Sequence, residues 1–200
     1  MLQEIEELKL KNFIHRNARL MWEWETIDKR LGKNNEISYI ISERNADGLP
    51  VVFEITYHIR SFCGILEKDK DGLEYPVFAD KFIMRIIIPN NYPTVGSKLV
   101  FTFLTEDNTG QNIPHPWHPN IRYYGDFAGK VCLNELASGT YTDLALYIDR
   151  VALYLKYEKY HASVIDPPYP EDDIVAHWVV QQAEPKGWID DLKKYKTKKP

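Results

Sequence analysis

One of the two cysteines, Cys132, lies between Val131 and Leu133 and two positions after Lys130. A thiol is well suited to carrying an acyl group in transit, because its thioester is activated toward amines whereas a serine ester transfers more sluggishly. The thiolate is the attacking species, and apart from Lys130 nothing beside Cys132 in the sequence would strongly depress its pKa. That setting fits thiol-for-thiol exchange, which is nearly balanced and needs only a modest thiolate population, better than a protease-like ion pair. Upstream stands His115-Pro116-Trp117-His118-Pro119-Asn120. Asn120 offers an amide that donates without ionising, and it is equally a turn former after proline. His118 reads as a hydrogen-bonded ring bracing that turn. It could also serve Cys132 as the base of a cysteine hydrolase, or join His115 and Cys132 around zinc. Prolines flanking Trp117-His118 disfavour a mobile base and the helix that would align both histidines, and a fourth zinc ligand is missing. Cys63, just after Ile59-Arg60-Ser61-Phe62, reads as a packing residue rather than a second nucleophile.

These groups need a scaffold, and hydrophobic periodicity outlines one. Residues 3–31 predict a helix, with Leu10, Phe13, Ile14, Ala18, Met21 and Trp22 at near-helical spacing and Gly32 as a stop. Ile37–Ile41 and the alternating Val51, Phe53, Ile55, Tyr57 and Ile59 predict two strands joined through Asn45-Ala46-Asp47-Gly48. Glu67–Gly72 has loop composition. Phe82–Ile88 and Lys98–Leu104 add two strands, parted by Pro89-Asn90-Asn91-Tyr92-Pro93. A long stretch from Thr105 to about Glu135 lacks periodicity, and ordered loops of that length are usually functional. Leu144, Ile148, Val151, Ala152 and Leu155 then mark one face of a helix. A second helix with Ile174, Val175, Trp178 and Val179 follows Asp166-Pro167-Pro168-Tyr169-Pro170, its start marked by Glu171-Asp172-Asp173. The order predicts an α+β domain with an N-terminal helix, a four-stranded antiparallel meander, a long active-site loop and C-terminal helices.

Composition bounds the function classes. The 200 residues carry a net charge of -4 and a pI near 5.9, which excludes a generally basic nucleic-acid coat. Two cysteines are too few for a disulfide framework, so a reducing, cytoplasmic setting is expected. The N-terminus is acidic where a secretory signal would be basic and then apolar, and no run approaches the ~20 apolar residues of a membrane span. From Lys186 onward six lysines stand against two aspartates, a basic tail expected to be a solvated terminus or an electrostatic contact for an acidic partner.

The ordered set His118-Pro119-Asn120, then Gly129-Lys130-Val131-Cys132-Leu133, with Tyr92-Pro93 before it and the Asp-Pro-rich turn into a helix after it, resembles the ubiquitin-conjugating enzyme family. The resemblance covers roughly residues 5–185. It divides the chain into a conjugating-enzyme-like domain at 1–185 and the basic tail at 186–200. It implies that Cys132 takes a ubiquitin-like modifier from an activating enzyme as a thioester and passes it to a lysine of a target protein. No metal or nucleotide cofactor is needed for that step. It also implies that Asn120 faces the oxyanion formed on attack or holds the active-site loop, that His118 and Pro119 support the loop, and that Asp172 orients the incoming amine. Glu171 and Asp173 are close rivals for that last role, and a plain helix-terminal charge is the alternative. The chain departs from the family pattern in three places. Twelve positions separate Asn120 from Cys132, which puts Asn120's reach in doubt; Thr94-Val95 stands where a Pro-Pro pair is common; Tyr141 stands where a Trp follows the cysteine. Such departures resemble the enzymes of bacterial, including anti-phage, conjugation operons, whose partners include an isopeptidase; a separate ligase is a further implied partner. The other reading is a catalytically silent module of the same fold that binds a modifier.

Overall fold

The computed structural model describes residues 2–9, 11, 15–66, 68–94, 98–133 and 143–195. Where one long helix is expected there are two, α1 (Leu2–Lys9) and α2 (His15–Leu31). Leu10, Phe13 and Ile14 of the predicted stripe lie outside the described residues. On α2 the buried face is Leu20, Met21, Trp24, Ile27 and Leu31, whereas Ala18 and Trp22 face outward, with the Arg19 guanidinium 4.3 Å above the Trp22 ring. The expected stripe was out of phase because Trp22 was counted as core; an indole can lie on the surface under a cation.

The sheet is the expected meander. β1 (Ile37–Arg44), β2 (Pro50–Tyr57), β5 (Phe82–Ile87) and β6 (Val100–Phe103) lie side by side in that order, each pair antiparallel. Tyr39, Ile55, Met84 and Phe103 form one row across the four strands. They share the inward face with Phe53, Tyr57, Ile86 and Phe101, as the two-residue side-chain period requires. α3 (Leu144–Leu155) closes this face together with α2, burying Leu144, Ile148, Val151, Ala152 and Leu155, and Tyr57 donates from its hydroxyl to the Ile148 carbonyl at 3.1 Å.

A second hairpin was not foreseen. β3 (Ser61–Ile65) and β4 (Pro76–Ala79) pair antiparallel, with a bulge at Phe62/Gly64. Phe62 seeds a separate aromatic core with Trp117, Tyr157 and Trp178, the last on α4 (Asp173–Trp178), which runs on into a π-helical turn over Val179–Ala183. α5 (Trp188–Lys194) buries Ile189 and Leu192 against the same core. Residues 188–194 are therefore a packed helix rather than the solvated tail expected from 186 onward; Lys196 to Pro200 lie outside the described residues.

The stretch 105–133 is also more regular than expected. Glu106 and Asn112 pair across a short turn in which the Asp107 carboxylate accepts from the Thr109 and Gln111 amides. Trp117 N–H then bonds to the Phe62 carbonyl at 2.9 Å, tying the segment to β3. Further on, Phe103 N–H bonds to Gly129 C=O and Val131 N–H to Phe101 C=O, so residues 129–131 extend the sheet beyond β6. Gly129 has φ +85°, and a Cβ there would lie 2.1 Å from the Phe103 carbonyl oxygen, so only glycine permits this approach.

Candidate active site

The site is assembled around the backbone and side chains of three consecutive residues. His118 is fully buried; its Nδ1 accepts from the Asn120 amide at 3.1 Å, and its Nε2 lies 3.2 Å from the Lys159 carbonyl. A carbonyl can only accept, so Nε2 carries the proton and the ring is neutral. Burial disfavours the imidazolium and holds the pKa down to about 3, only partly offset by the bond to Lys159. Stacked on Tyr154 and edge-on to Tyr157, the ring braces the turn, with both nitrogens committed to backbone groups.

Pro119 contributes its carbonyl, which accepts from the amides of both Glu171 (2.8 Å) and Asp172 (3.0 Å). Asn120 contributes twice. Its side-chain oxygen accepts from His161 N–H at 3.0 Å, and its backbone carbonyl accepts from Cys132 N–H at 2.8 Å. The turn thus joins the segment after α3, the segment before α4 and the strand carrying the cysteine.

The twelve-position spacing between Asn120 and Cys132 is accommodated by a hairpin. Ile121 pairs with Val131, Arg122 N–H bonds to Lys130 C=O, and Gly129 N–H bonds to Arg122 C=O, so the ends of the lengthened loop meet. Tyr123 pins its near side: the ring stacks on His115 and packs edge-on against Trp117, and the hydroxyl donates to the Cys63 carbonyl at 2.7 Å. His115 Nε2 bonds to the Tyr123 carbonyl, so this histidine braces the same loop. Cys63 itself is half-buried against the main core, and burial pushes its thiol pKa up.

Cys132 exposes 9% of its surface. Its neighbours Val131 and Leu133 pack on the main core, while Cys132 belongs to neither apolar cluster among the described residues. Tyr141 and residues 134–142 as a whole lie outside the described residues, as do Val95, Gly96 and Ser97 of the loop after Tyr92-Pro93.

Asp172 is 4% exposed and its two oxygens serve backbone amides: Oδ1 accepts from Ile174 and Val175 as the N-cap of α4, and Oδ2 accepts from Tyr123 N–H at 2.9 Å. The carboxylate clasps the hairpin that leads to Cys132 onto α4. Asp173 is exposed at the start of that helix. Glu171 takes Lys130 Nζ at 3.2 Å and Arg122 Nη2 at 3.4 Å on one oxygen, an ion-paired trio that sequence spacing could not reveal. Among the described residues no group of three His, Cys, Asp or Glu side chains is placed to hold a metal ion, and no helix is long and apolar enough to cross a membrane.

No family model and no curated protein matches the sequence. Solved structures do match in three dimensions. A protein of Plasmodium yoelii assigned as a ubiquitin-conjugating enzyme is similar with TM-score 0.50 and 16% identity over 90% of this chain and 94% of that one. The E2 domain of a Toxoplasma gondii ubiquitin-conjugating enzyme gives 0.47 and 19% over the same shares. Human ubiquitin-conjugating enzyme E2 G1 gives 0.39 and 17% over 72% of this chain and 98% of that one. The Plasmodium likeness, together with the helix, the four-stranded meander and the helices that follow it, establishes that this chain has the α+β ubiquitin-conjugating fold.

Proposed function

We propose that the protein conjugates a ubiquitin-like modifier: Cys132 accepts the modifier's C-terminal carboxyl from an activating enzyme as a thioester and passes it to a lysine amine of a target. The observation that carries this reading is the 2.8 Å bond from Cys132 N–H to the Asn120 carbonyl, which ties the main chain of the two residues together across the lengthened hairpin. With its oxygen held by His161 N–H, the Asn120 side chain presents its NH2 as a donor, the group an oxyanion needs when an amine attacks the thioester carbonyl. His118, neutral and bonded at both nitrogens, supports the turn and takes no proton. Asp172 enters as the clasp that positions the hairpin, since both oxygens are engaged with backbone amides.

In this reading the partners are an activating enzyme, a ubiquitin-like modifier and a lysine-bearing target, with an isopeptidase or ligase alongside in a bacterial conjugation operon; the genes that neighbour this one test the last point. The test of activity is charging. Incubated with its activating enzyme, ATP and modifier, the protein should gain a modifier adduct that reducing agent removes and that Cys132→Ala does not form. An undiminished adduct in Cys132→Ala would refute the reading. The low exposure of Cys132 favours a second one, a modifier-binding module of the same fold, whose signature is tight modifier binding with no thioester.

A further inference from the structure

Lys130 and Cys132 flank Val131 on an extended segment. Thr102 pairs with Lys130 and Ile121 with Val131 in antiparallel bridges. Successive amides bond to opposite sides, Val131 N–H to Phe101 and Cys132 N–H to Asn120. Side chains on such a segment alternate, and Val131 points into the main core. Lys130 and Cys132 therefore share the opposite face, about 6.5 Å apart along the chain by the strand rise, a span that the four-carbon stem of lysine can cross.

The Lys130 ammonium is half-exposed and sits 3.2 Å from Glu171 Oε1, on a carboxylate whose side chain is only 14% exposed and which Arg122 also approaches at 3.4 Å. The main chain of Glu171 is fixed in turn by its N–H bond to the Pro119 carbonyl. An amine with a held proton acceptor beside it thus stands on the same face of the segment as the thiol, two residues away.

We infer that Lys130 is an internal acceptor: an acyl group carried on Cys132 migrates to Lys130 Nζ within the same molecule, with Glu171 taking the proton. This rests on the thioester reading above. In the step, the Lys130 ammonium first gives one proton through the Glu171 carboxylate to water, and the neutral Nζ then attacks the thioester carbonyl carbon and the C–N bond forms. The nitrogen becomes acidic as it bonds, and its proton passes to the Glu171 carboxylate. The C–S bond then breaks, and the Cys132 thiolate leaves and is protonated from water. The product is an amide on Lys130 and a regenerated thiol, with no oxidant or cofactor consumed. A tethered amine of this kind acts at an effective concentration far above that of lysines on separate proteins. The charged protein therefore discharges onto itself when no target is present, leaving a permanent mark two residues before the thiol.

The test uses the full chain and a fluorescent Gly-Gly peptide α-thioester of 2-mercaptoethanesulfonate, which loads the thiol by exchange and dispenses with an activating enzyme. After removal of excess reagent, the adduct is followed by intact mass and peptide mapping, with hydroxylamine distinguishing thioester from amide. The expected course is a hydroxylamine-labile adduct on Cys132 that converts to a resistant one on Lys130, at a rate independent of protein concentration. Lys130→Arg should load equally and keep its adduct labile, and Glu171→Gln should slow conversion at least tenfold. Loading of Cys132 followed only by hydrolysis, or amide formation at other lysines, overturns the inference and leaves the thioester reading standing. Conversion as fast in Glu171→Gln overturns the proton route. If Cys132 takes no acyl group at all, the thioester reading falls and the inference falls with it.

Discussion

Glu23 and His118 are each completely buried, and each fastens separate segments of the chain, by different electrostatic means. Glu23, on α2, keeps ionic company: Arg19 at 2.7 Å, the Tyr92 hydroxyl, and the Leu144 amide at the start of α3 at 2.8 Å. Burial nevertheless pushes its pKa up, against the opposing pull of Leu144, Tyr92 and Arg19. His118 is held by backbone groups instead: its ring bonds to the Asn120 amide and the Lys159 carbonyl. A junction between two helices and a loop can hold a carboxylate because a guanidinium reaches it from the surface. The turn beside Cys132 is held by a neutral ring, so its geometry does not change with ionisation near neutral pH.

Removing the neutral junction should have the largest effect. His118→Ala deletes a packed ring and strands the Asn120 amide and the Lys159 carbonyl, at about 3–5 kcal/mol of unfolding free energy by denaturant titration. A cost under about 1 kcal/mol would mean the turn holds itself. Next comes Asn120→Ala, which in the proposed reaction should slow transfer from a charged thioester to lysine about 100-fold, as loss of one oxyanion donor does. Single-turnover discharge measures it, and charging should be less affected than transfer.

The pH dependence sharpens the comparison further. With a folded pKa of about 3 against an ordinary 6.5, His118 leaves the unfolded chain binding a proton that the folded chain refuses. The stability it contributes is complete above pH 6.5 and drains away as pH falls toward 3, by about 2 kcal/mol between pH 6.5 and 5. Glu23 has the opposite sign: with its folded pKa raised, its contribution is complete below its ordinary value of 4.5 and is lost as pH rises through the folded value. Denaturant titrations at pH 6.5 and 5 should show the acid loss in the native protein and a flatter response in His118→Asn; equal slopes would remove His118 as its source. The smallest effect is expected from Glu23→Gln. The amide still accepts from Leu144 N–H, and Arg19, with its side chain 20% exposed, remains hydrated, so about 1 kcal/mol should be lost, a shift of about 2–4 °C in Tm.

The contrast also explains what could be read from the sequence. β2 announced itself through alternation, the other three sheet strands through short apolar runs or runs rich in β-branched and aromatic residues, and α3 through its apolar face, because all these patterns are local. β3 escaped because Ser61-Phe62-Cys63-Gly64-Ile65 is short and bulged between Phe62 and Gly64, which breaks the two-residue period. α5 was hidden by its lysines, although Ile189 and Leu192 at helical spacing after Gly187 were a usable signal. Asp172 was legible as a helix-terminal charge, but its second bond, to an amide 49 residues earlier, exists only in three dimensions. Glu23 had a trace: a carboxylate among Leu20, Met21, Trp24 and Ile27, four positions after Arg19, lies on the wrong face of α2 for a solvated charge. The hydrogen bonds that Asn120 makes to Cys132 and His161 were beyond sequence reasoning, since the hairpin that returns the chain depends on a glycine pressed against the Phe103 carbonyl.

The central claim is that the sulfur at position 132 receives the modifier's carboxyl group. Its most direct test is charging of Cys132→Ser with activating enzyme, ATP and modifier, followed by peptide mapping. The account predicts an adduct at position 132 that survives reducing agent and is cleaved by mild alkali, as an oxygen ester should be. An adduct mapped to any other residue, with position 132 unmodified both in this variant and in the native protein, would contradict it.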